Sequence, residues 1–273
     1  MFIVQNYPLA VIFCMITMLC WGSWANTQKL AGKTWRFELF YWDYVIGIFI
    51  FSVLSAFTLG SVGKNGRSFL TDLQQADATN MLSALLGGFI FNAATYRKAS
   101  TAKQGVSTKG IIISLVAGVL MSFFYRFIAA SMDLENFEQP APGKMTPYTA
   151  VFIFSLGVFL SNFIFNTILM KKPLQGSPTG YKEYFHGSFG LHMVGVLGGL
   201  IWGLGNSLNL IAAGKAGPAI SYGLGQGATL IAALWGVFIW KEFQQAPKGT
   251  NGLIVAMFLF FVVGLGLLIY AGT

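Results

Sequence analysis

Hydrophobic positions in this chain occur in long, nearly unbroken runs, not in the alternation of a strand or the single stripe of a surface helix. Seven runs reach the roughly 20 residues a helix needs to cross the hydrocarbon of a bilayer. They are 8–26, 40–60, 110–132, 146–170, 189–214, 217–240 and 252–271. An eighth, Met81 to Thr95, would rise only about 22 Å as a helix and needs local thinning to span. Tyr96, Arg97 and Lys98 follow it at once, as at an interface. The longest connections, 61–80, 133–145 and 171–188, are polar and too short for a separate soluble domain. The pattern predicts an all-α polytopic transmembrane helix bundle of about eight spans, with residues 1–273 in one domain.

The end of the first run carries the sharpest signal. Cys20-Trp21-Gly22-Ser23-Trp24-Ala25-Asn26-Thr27-Gln28-Lys29 closes an apolar segment with tryptophans, amides and hydroxyls, where a plain anchor would end in aliphatics. On a helix Gly22, Asn26 and Lys29 share one face, flanked by Trp21, Trp24 and Gln28. Polar groups in hydrocarbon are costly unless they face other helices or a wet cavity, so this face points to a pathway or binding site.

Composition agrees. The chain is 55% hydrophobic and 10% charged, against about a quarter charged in soluble domains, and its mean hydropathy is +0.65. The net charge of +8 is scattered through loops and not striped along one surface, which argues against nucleic acid as partner. With eight spans, the loops after the odd-numbered helices hold twelve basic residues: Lys29, Lys33, Arg36, Arg97, Lys98, Lys103, Lys109, Lys171, Lys172, Lys182, Lys241 and Lys248. The opposite side holds four: Lys64, Arg67, Lys144 and Lys215. The richer side is expected in the cytoplasm, with both termini outside. A seven-span arrangement splits the charges almost as unevenly. Cys14 and Cys20 both fall within the first run and read as small buried hydrophobes. The N-terminus lacks the basic region of a secretory signal, so the first run is expected to be retained.

Among ionisable residues, Lys29 and Asp43 flank the first connection, and Asp43 sits in Tyr41-Trp42-Asp43-Tyr44 at the mouth of a span. Asp43 is the strongest candidate for a coupling carboxylate. Arg126, beside Tyr125, reads either as a substrate-facing charge or as a snorkelling anchor, and His192 either as a proton relay or as an interface histidine. Asn92, Asn162, Asn166, Asn206, Asn209, Tyr222 and Gln226 supply uncharged polarity. Such amides either tie helices together or bind a neutral ligand. Gly195, Gly199 and Gly203, and Gly223 and Gly227, recur every four residues, as in close helix crossings. Leu86-Gly87-Gly88-Phe89-Ile90 echoes Leu197-Gly198-Gly199-Leu200-Ile201, a trace of the internal repeats common in transporters. No nucleophile–base pair, metal cluster or phosphate loop is apparent, which argues against an enzyme, a cofactor or a bound metal.

Trp21-Gly22-Ser23-Trp24, Asp43-Tyr44 and Phe91-Asn92-Ala93-Ala94 resemble the ureide permease group of the drug/metabolite transporter superfamily, near the glucose/ribose and rhamnose porters. The resemblance implies two inverted repeats of five helices around a central pathway, and proton-coupled carriage of ureides and nucleobases. Against ten expected helices the chain offers eight. Residues 1–98 then form a shortened first repeat, with a helix pair missing between about Asn92 and Tyr96, and 110–273 form the second. The reading is a secondary transporter of the bacterial inner membrane for a small neutral polar metabolite such as a ureide or nucleobase, with protons or another coupling ion. Trp21, Trp24, Asn26, Asn92, Tyr125, Asn162, Asn206, Tyr222 and Gln226 are the candidate binding residues. Lys29, Asp43, Arg126 and His192 are the candidate charges. The alternatives are a sugar porter, an exporter of lipophilic cations, and a non-transporting or defective membrane paralogue. The oligomeric state is left open.

Overall fold

The computed structural model describes residues 1–32, 35–95, 108–173 and 176–273. Lys33, Tyr96, Arg97, Lys98 and Lys103, which enter the charge count and the end of the short span, lie outside the described residues. The elements are α1 (Tyr7–Ser23), α2 (Ala25–Leu30), α3 (Phe37–Phe57), α4 (Phe69–Gln75), α5 (Ala78–Thr95), α6 (Thr108–Ala130) and α7 (Pro147–Lys171). There follow α8 (Tyr181–Phe185), α9 (Phe189–Ala216), α10 (Pro218–Gly225), α11 (Ala228–Leu234), a π-helical turn (Trp235–Ile239) and α12 (Thr250–Ala271). Among the described residues six helical segments are long and apolar enough to cross a membrane, and shorter apolar stretches lie at Ala78–Ala94 in α5 and Leu115–Ala130 in α6. This is a polytopic helical bundle.

The ends follow local chemistry. Asn6 caps α1, its Oδ1 accepting the Leu9 N–H at 2.9 Å, with Pro8 in the first turn. Ser188 caps α9, and Gly217, at φ 76°, ends it before Pro218 opens α10. Two sequence expectations are corrected. The short span begins at Ala78, not Met81, and so rises about 27 Å. Its polar first turn is held by Asn80, which donates to the Gly143 carbonyl at 2.9 Å. The 217–240 run is not one helix. It breaks at Gln226 and Gly227 between α10 and α11, where Gly223, Gly225 and Gly227 weaken the helix, and ends in the π-helical turn.

Two close crossings organise the bundle. Where α3 meets α9, Gly47 sits against the Val196 carbonyl and Gly199 against the Tyr44 carbonyl. Where α7 meets α5, Gly157 sits against the Leu85 carbonyl and Gly88 against the Phe154 carbonyl. A Cβ at any of the four would overlap backbone, so the approach requires glycine. The Leu-Gly-Gly echo falls on these two crossings. Likewise α1 lies along α9 as α6 lies along α5, and α3 meets α7 between them. At one end the 58–77 and 131–146 loops are stapled together. Buried Asp72 accepts the Thr146 N–H at 2.7 Å and pairs with Arg67 at 2.9 Å.

Candidate functional site

The interior holds a cavity of about 300 Å³ between α1, α5, α6, α9 and the broken α10–α11 segment. Trp21 and Trp24 enter from the end of α1, Phe91 and Ala94 from α5, and Ala117, Met121 and Phe124 from α6. Trp202 of α9, Tyr222 of α10, Gln226 at the helix break and Ala228 complete the lining. Its walls are flat and aromatic. Trp21 and Trp202 are near-parallel at 13°, with ring centroids 6.2 Å apart. Tyr222 meets Trp21 edge-on at 6.1 Å, and Phe91 lies 4.5 Å from Trp202. Trp24 is braced from behind by Tyr44, 4.4 Å away. Among the described residues no charged side chain lines the cavity. Among the described residues the Trp21 Nε1 donor has no hydrogen-bond partner; it is buried close to Gly205 of α9. The volume is at the small end for ligand sites and suits one small ring.

A wider vestibule of about 650 Å³ opens on the side of the 131–146 loop. Tyr222 lines both spaces, and its ring lies 4.4 Å from that of Tyr125, so this pair stands between vestibule and cavity. Arg126, Asp133, Glu135 and Lys144 give the vestibule its charge. Two of these serve the loop itself. Asp133 accepts the Ala141 N–H at 2.8 Å, and Lys144 donates to the Ala130 carbonyl at 2.5 Å.

A third cluster lies toward the opposite end. Asp43, 2% exposed, receives the Tyr184 hydroxyl at 2.7 Å and faces His192 Nδ1 at 2.8 Å, both through Oδ1. The Trp35 indole donates to Oδ2 at 3.3 Å. These groups tie α3, α8, α9 and the segment before α3 together. Burial and the adjacent carboxylate push the Tyr184 phenol well above its ordinary range, so it keeps its proton and donates. Gly195, beside Asp43, precedes Trp202 by seven residues on α9, so the cluster lies about 10 Å along the helix from the cavity wall.

The sequence candidates therefore separate into groups. Trp21, Trp24, Tyr222 and Gln226 meet in the cavity, Tyr125 and Arg126 line the vestibule, and Asp43 and His192 pair. The carboxamides do not converge on the cavity as expected, because helix contacts consume several of them. Asn92 donates to Ser161 at 2.8 Å and to the Val158 carbonyl, tying α5 to α7. Asn166 donates to the Glu38 carbonyl and Asn209 to the Ser221 carbonyl. Asn162 and Asn206 are buried with unpartnered amides but do not line the cavity. Asn26 accepts from the Trp240 indole at 2.6 Å, and Lys29 pairs with Glu242 at 2.6 Å on the exposed rim. The sequence reading missed Phe91, Phe124 and Trp202 in the cavity, and Trp35 and Tyr184 around Asp43. A signal for Trp202 existed: it lies three residues beyond Gly199 in a helix full of small residues.

Comparison with known proteins agrees with this architecture. The family model described as Ureide permease matches residues 95–271. Ureide permease 4 of Arabidopsis thaliana is 31% identical over 161 residues, which is 58% of this chain and 40% of that protein. Ureide permease 1 of the same plant is 24% identical over 262 residues, covering 94% of this chain and 61% of its own length. A Streptococcus agalactiae protein named "Putative sugar uptake protein" is 25% identical over 280 residues, 93% of this chain and 96% of that protein. The chain thus spans 40% to 61% of the length of these plant relatives. It is a multi-pass integral membrane protein, and it belongs to the ureide permease family.

Proposed function

We propose that the protein is a proton-coupled permease for a small, neutral, planar metabolite of the ureide or nucleobase class. The observation that carries this reading is the pair of near-parallel Trp21 and Trp202 indoles lining one cavity with the Gln226 amide. Flat walls recognise a flat ring, and a few fixed polar groups read its amide edge. The uncharged lining formed by the described residues favours a neutral substrate over a cation or anion.

Access runs through the vestibule and past Tyr125 and Tyr222. The excess of lysine and arginine in the loops of the other end supports an orientation with this vestibule and both termini outside the cell. Opposite, the contacts of Asp43 with Tyr184, His192 and Trp35 hold the cytoplasmic end closed. Protonation of Asp43 removes the charge those donors face and loosens the end, which couples proton entry to opening. Arg126 at the vestibule rim orients the arriving ligand.

A second reading has its own support. The sugar-uptake relative aligns over nearly its whole length, and tryptophan faces also bind sugar rings. Uptake of radiolabelled allantoin, uracil and a hexose into proteoliposomes, with and without an inward proton gradient, separates the two. Gradient-driven uptake of allantoin or uracil, uncompeted by the hexose, is expected. Competition only among sugars selects the second reading, and no uptake or binding of any of the three removes both.

A further inference from the structure

From the cavity toward the end opposite the vestibule, α1 and α2 run beside α11 and the chain that follows it. Gly227 is in close contact with the Met18 sulfur, and Gly22 with Ile231 and the Ala228 carbonyl. Beyond them the contacts turn polar. The Trp235 indole donates to the Ser23 hydroxyl at 2.9 Å, the Trp240 indole to Asn26 Oδ1 at 2.6 Å, and Lys29 to Glu242 at 2.6 Å. The Lys29 ammonium also lies 4.7 Å from the centre of the Trp240 ring. Ser23, Asn26 and Lys29 share one helix face, continuing from Trp21 and Trp24 in the cavity wall. Trp235 is seven residues, about 10 Å, past the wall residue Ala228. The seam therefore runs from the cavity to the rim.

The two sides of this seam do not keep step. Between Met18 and Gly22 on one side, and Gly227 and Ile231 on the other, both advance four residues. From there seven residues reach Lys29, while eleven on the other side reach Glu242. The excess sits in the π-helical turn Trp235–Ile239 and the reversal behind it. There the Trp240 N–H bonds the Trp235 carbonyl at 2.9 Å, five residues back, and the Glu242 N–H bonds the Gly236 carbonyl at 3.0 Å, six back. Lys241, at φ 52°, is the one residue other than glycine with positive φ among the described residues. It makes the left-handed cap that ends many helices, whose outer bond ordinarily reaches five residues back. Here that bond reaches six, so the turn carries one residue more than an α-helix needs. Gly236 also leaves room for the Glu242 carboxylate, since a Cβ there would lie 3.1 Å from Oε2.

We propose that this turn is a register switch that gates the cavity at the end opposite the vestibule, with the Gly236 carbonyl as the group that changes partner. In the observed arrangement that carbonyl holds the Glu242 N–H, while Asn26 and Lys29 hold Trp240 and Glu242. In the other, the Trp240 N–H moves from the Trp235 carbonyl to that of Gly236, and the Glu242 N–H moves from Gly236 to Val237. Both donors stay bonded, and a regular α-helix with its left-handed cap results. One residue of register turns the chain beyond it by about 100°. That rotation carries the Trp240 ring and Glu242 away from Asn26 and Lys29, and the seam parts beside Trp21 and Trp24. The contacts with Asn26 and Lys29 favour the first arrangement, and the regular helix favours the second. A ligand touching Gln226 and Ala228, on the same segment, biases the choice. The switch rests on contacts and backbone geometry alone, whereas its service as a gate rests on the permease reading.

The test uses the full chain in lipid nanodiscs, with Cys14 and Cys20 replaced by alanine and spin labels on Leu30→Cys and Phe243→Cys, both exposed positions. Two label distances are expected in this parent. The share of the second should rise about threefold or more when Trp240→Phe and Glu242→Gln together remove the indole donor and the ion pair. It should vanish when Val237 is deleted. Without the extra residue, the Trp240 and Glu242 N–H groups reach their present carbonyls in α-helical register, and the latch has no slack to release. In proteoliposomes the deletion should still bind a labelled ring but take it up about tenfold more slowly or worse. A single distance in both the parent and the double substitution overturns the switch, as does a folded deletion that keeps both distances. Two distances without uptake of any labelled ring would leave the switch standing and remove the permease reading. Uptake by the deletion at the parent's rate would remove the gate and leave the permease reading standing.

Discussion

Replacement of Asp43 separates holding the bundle from coupling the proton. In Asp43→Ala, the Trp35 indole, the Tyr184 hydroxyl and the His192 imidazole all lose their acceptor. A buried donor left unpaired costs about 1–3 kcal/mol. Trp35, 4% exposed, incurs this in full. Tyr184 and His192 are only partly buried, so water recovers part of their loss. The sum is about 3–4 kcal/mol for alanine. Asparagine keeps one acceptor oxygen and should cost about 1–2 kcal/mol. Thermal unfolding of the purified protein in detergent measures the order, with alanine below asparagine and asparagine below the parent. The decisive measurement pairs gradient-driven uptake with substrate counterflow. Asp43→Asn should retain counterflow, which needs no net proton movement, and lose most of its response to a pH gradient. An Asp43→Asn protein as stable as the parent and equally driven by protons would refute both the energetic account and the coupling role.

Other outcomes follow from the same geometry. With cysteine at Ala117 in a background lacking Cys14 and Cys20, Tyr222→Ala should join vestibule and cavity and speed labelling by a water-soluble thiol reagent about tenfold; an unchanged rate would mean the tyrosine pair does not separate them. Trp21→Phe keeps one aromatic ring but loses the nitrogen-bearing ring of the indole and part of the flat wall facing the cavity. Ligand affinity should fall by about 1 kcal/mol or more, at least about fivefold, in a binding titration. Gly199→Ala drives a methyl into the Tyr44 carbonyl and should destabilise the α3–α9 crossing by about 1–3 kcal/mol, whereas Gly118→Ala, with nothing for its methyl to meet, should leave stability unchanged or raise it by up to about 1 kcal/mol. Lys29→Ala removes an exposed ion pair, and unfolding should move by less than about 0.5 kcal/mol.

The apolar runs alone determined the helical architecture, since only a helix satisfies the backbone of a spanning segment internally and the required length is set by the bilayer. The four-residue glycine spacing around Gly199 likewise marked a close crossing, and Trp21, Trp24, Tyr222 and Gln226 were recognisable as cavity residues because tryptophan and amide are unusual within apolar runs. Tertiary structure decided the partners. Asp43 meets Tyr184 and His192 from residues far along the chain, and no local pattern encodes that meeting. Phe91, Phe124 and Trp202 look like ordinary core aromatics until three helices bring them around one space. The same packing withdrew Asn92 and Asn166 from the cavity, because a buried amide bonds whatever carbonyl a neighbouring helix offers. Residue type reports what a side chain can bind, and the helix crossings choose what it meets.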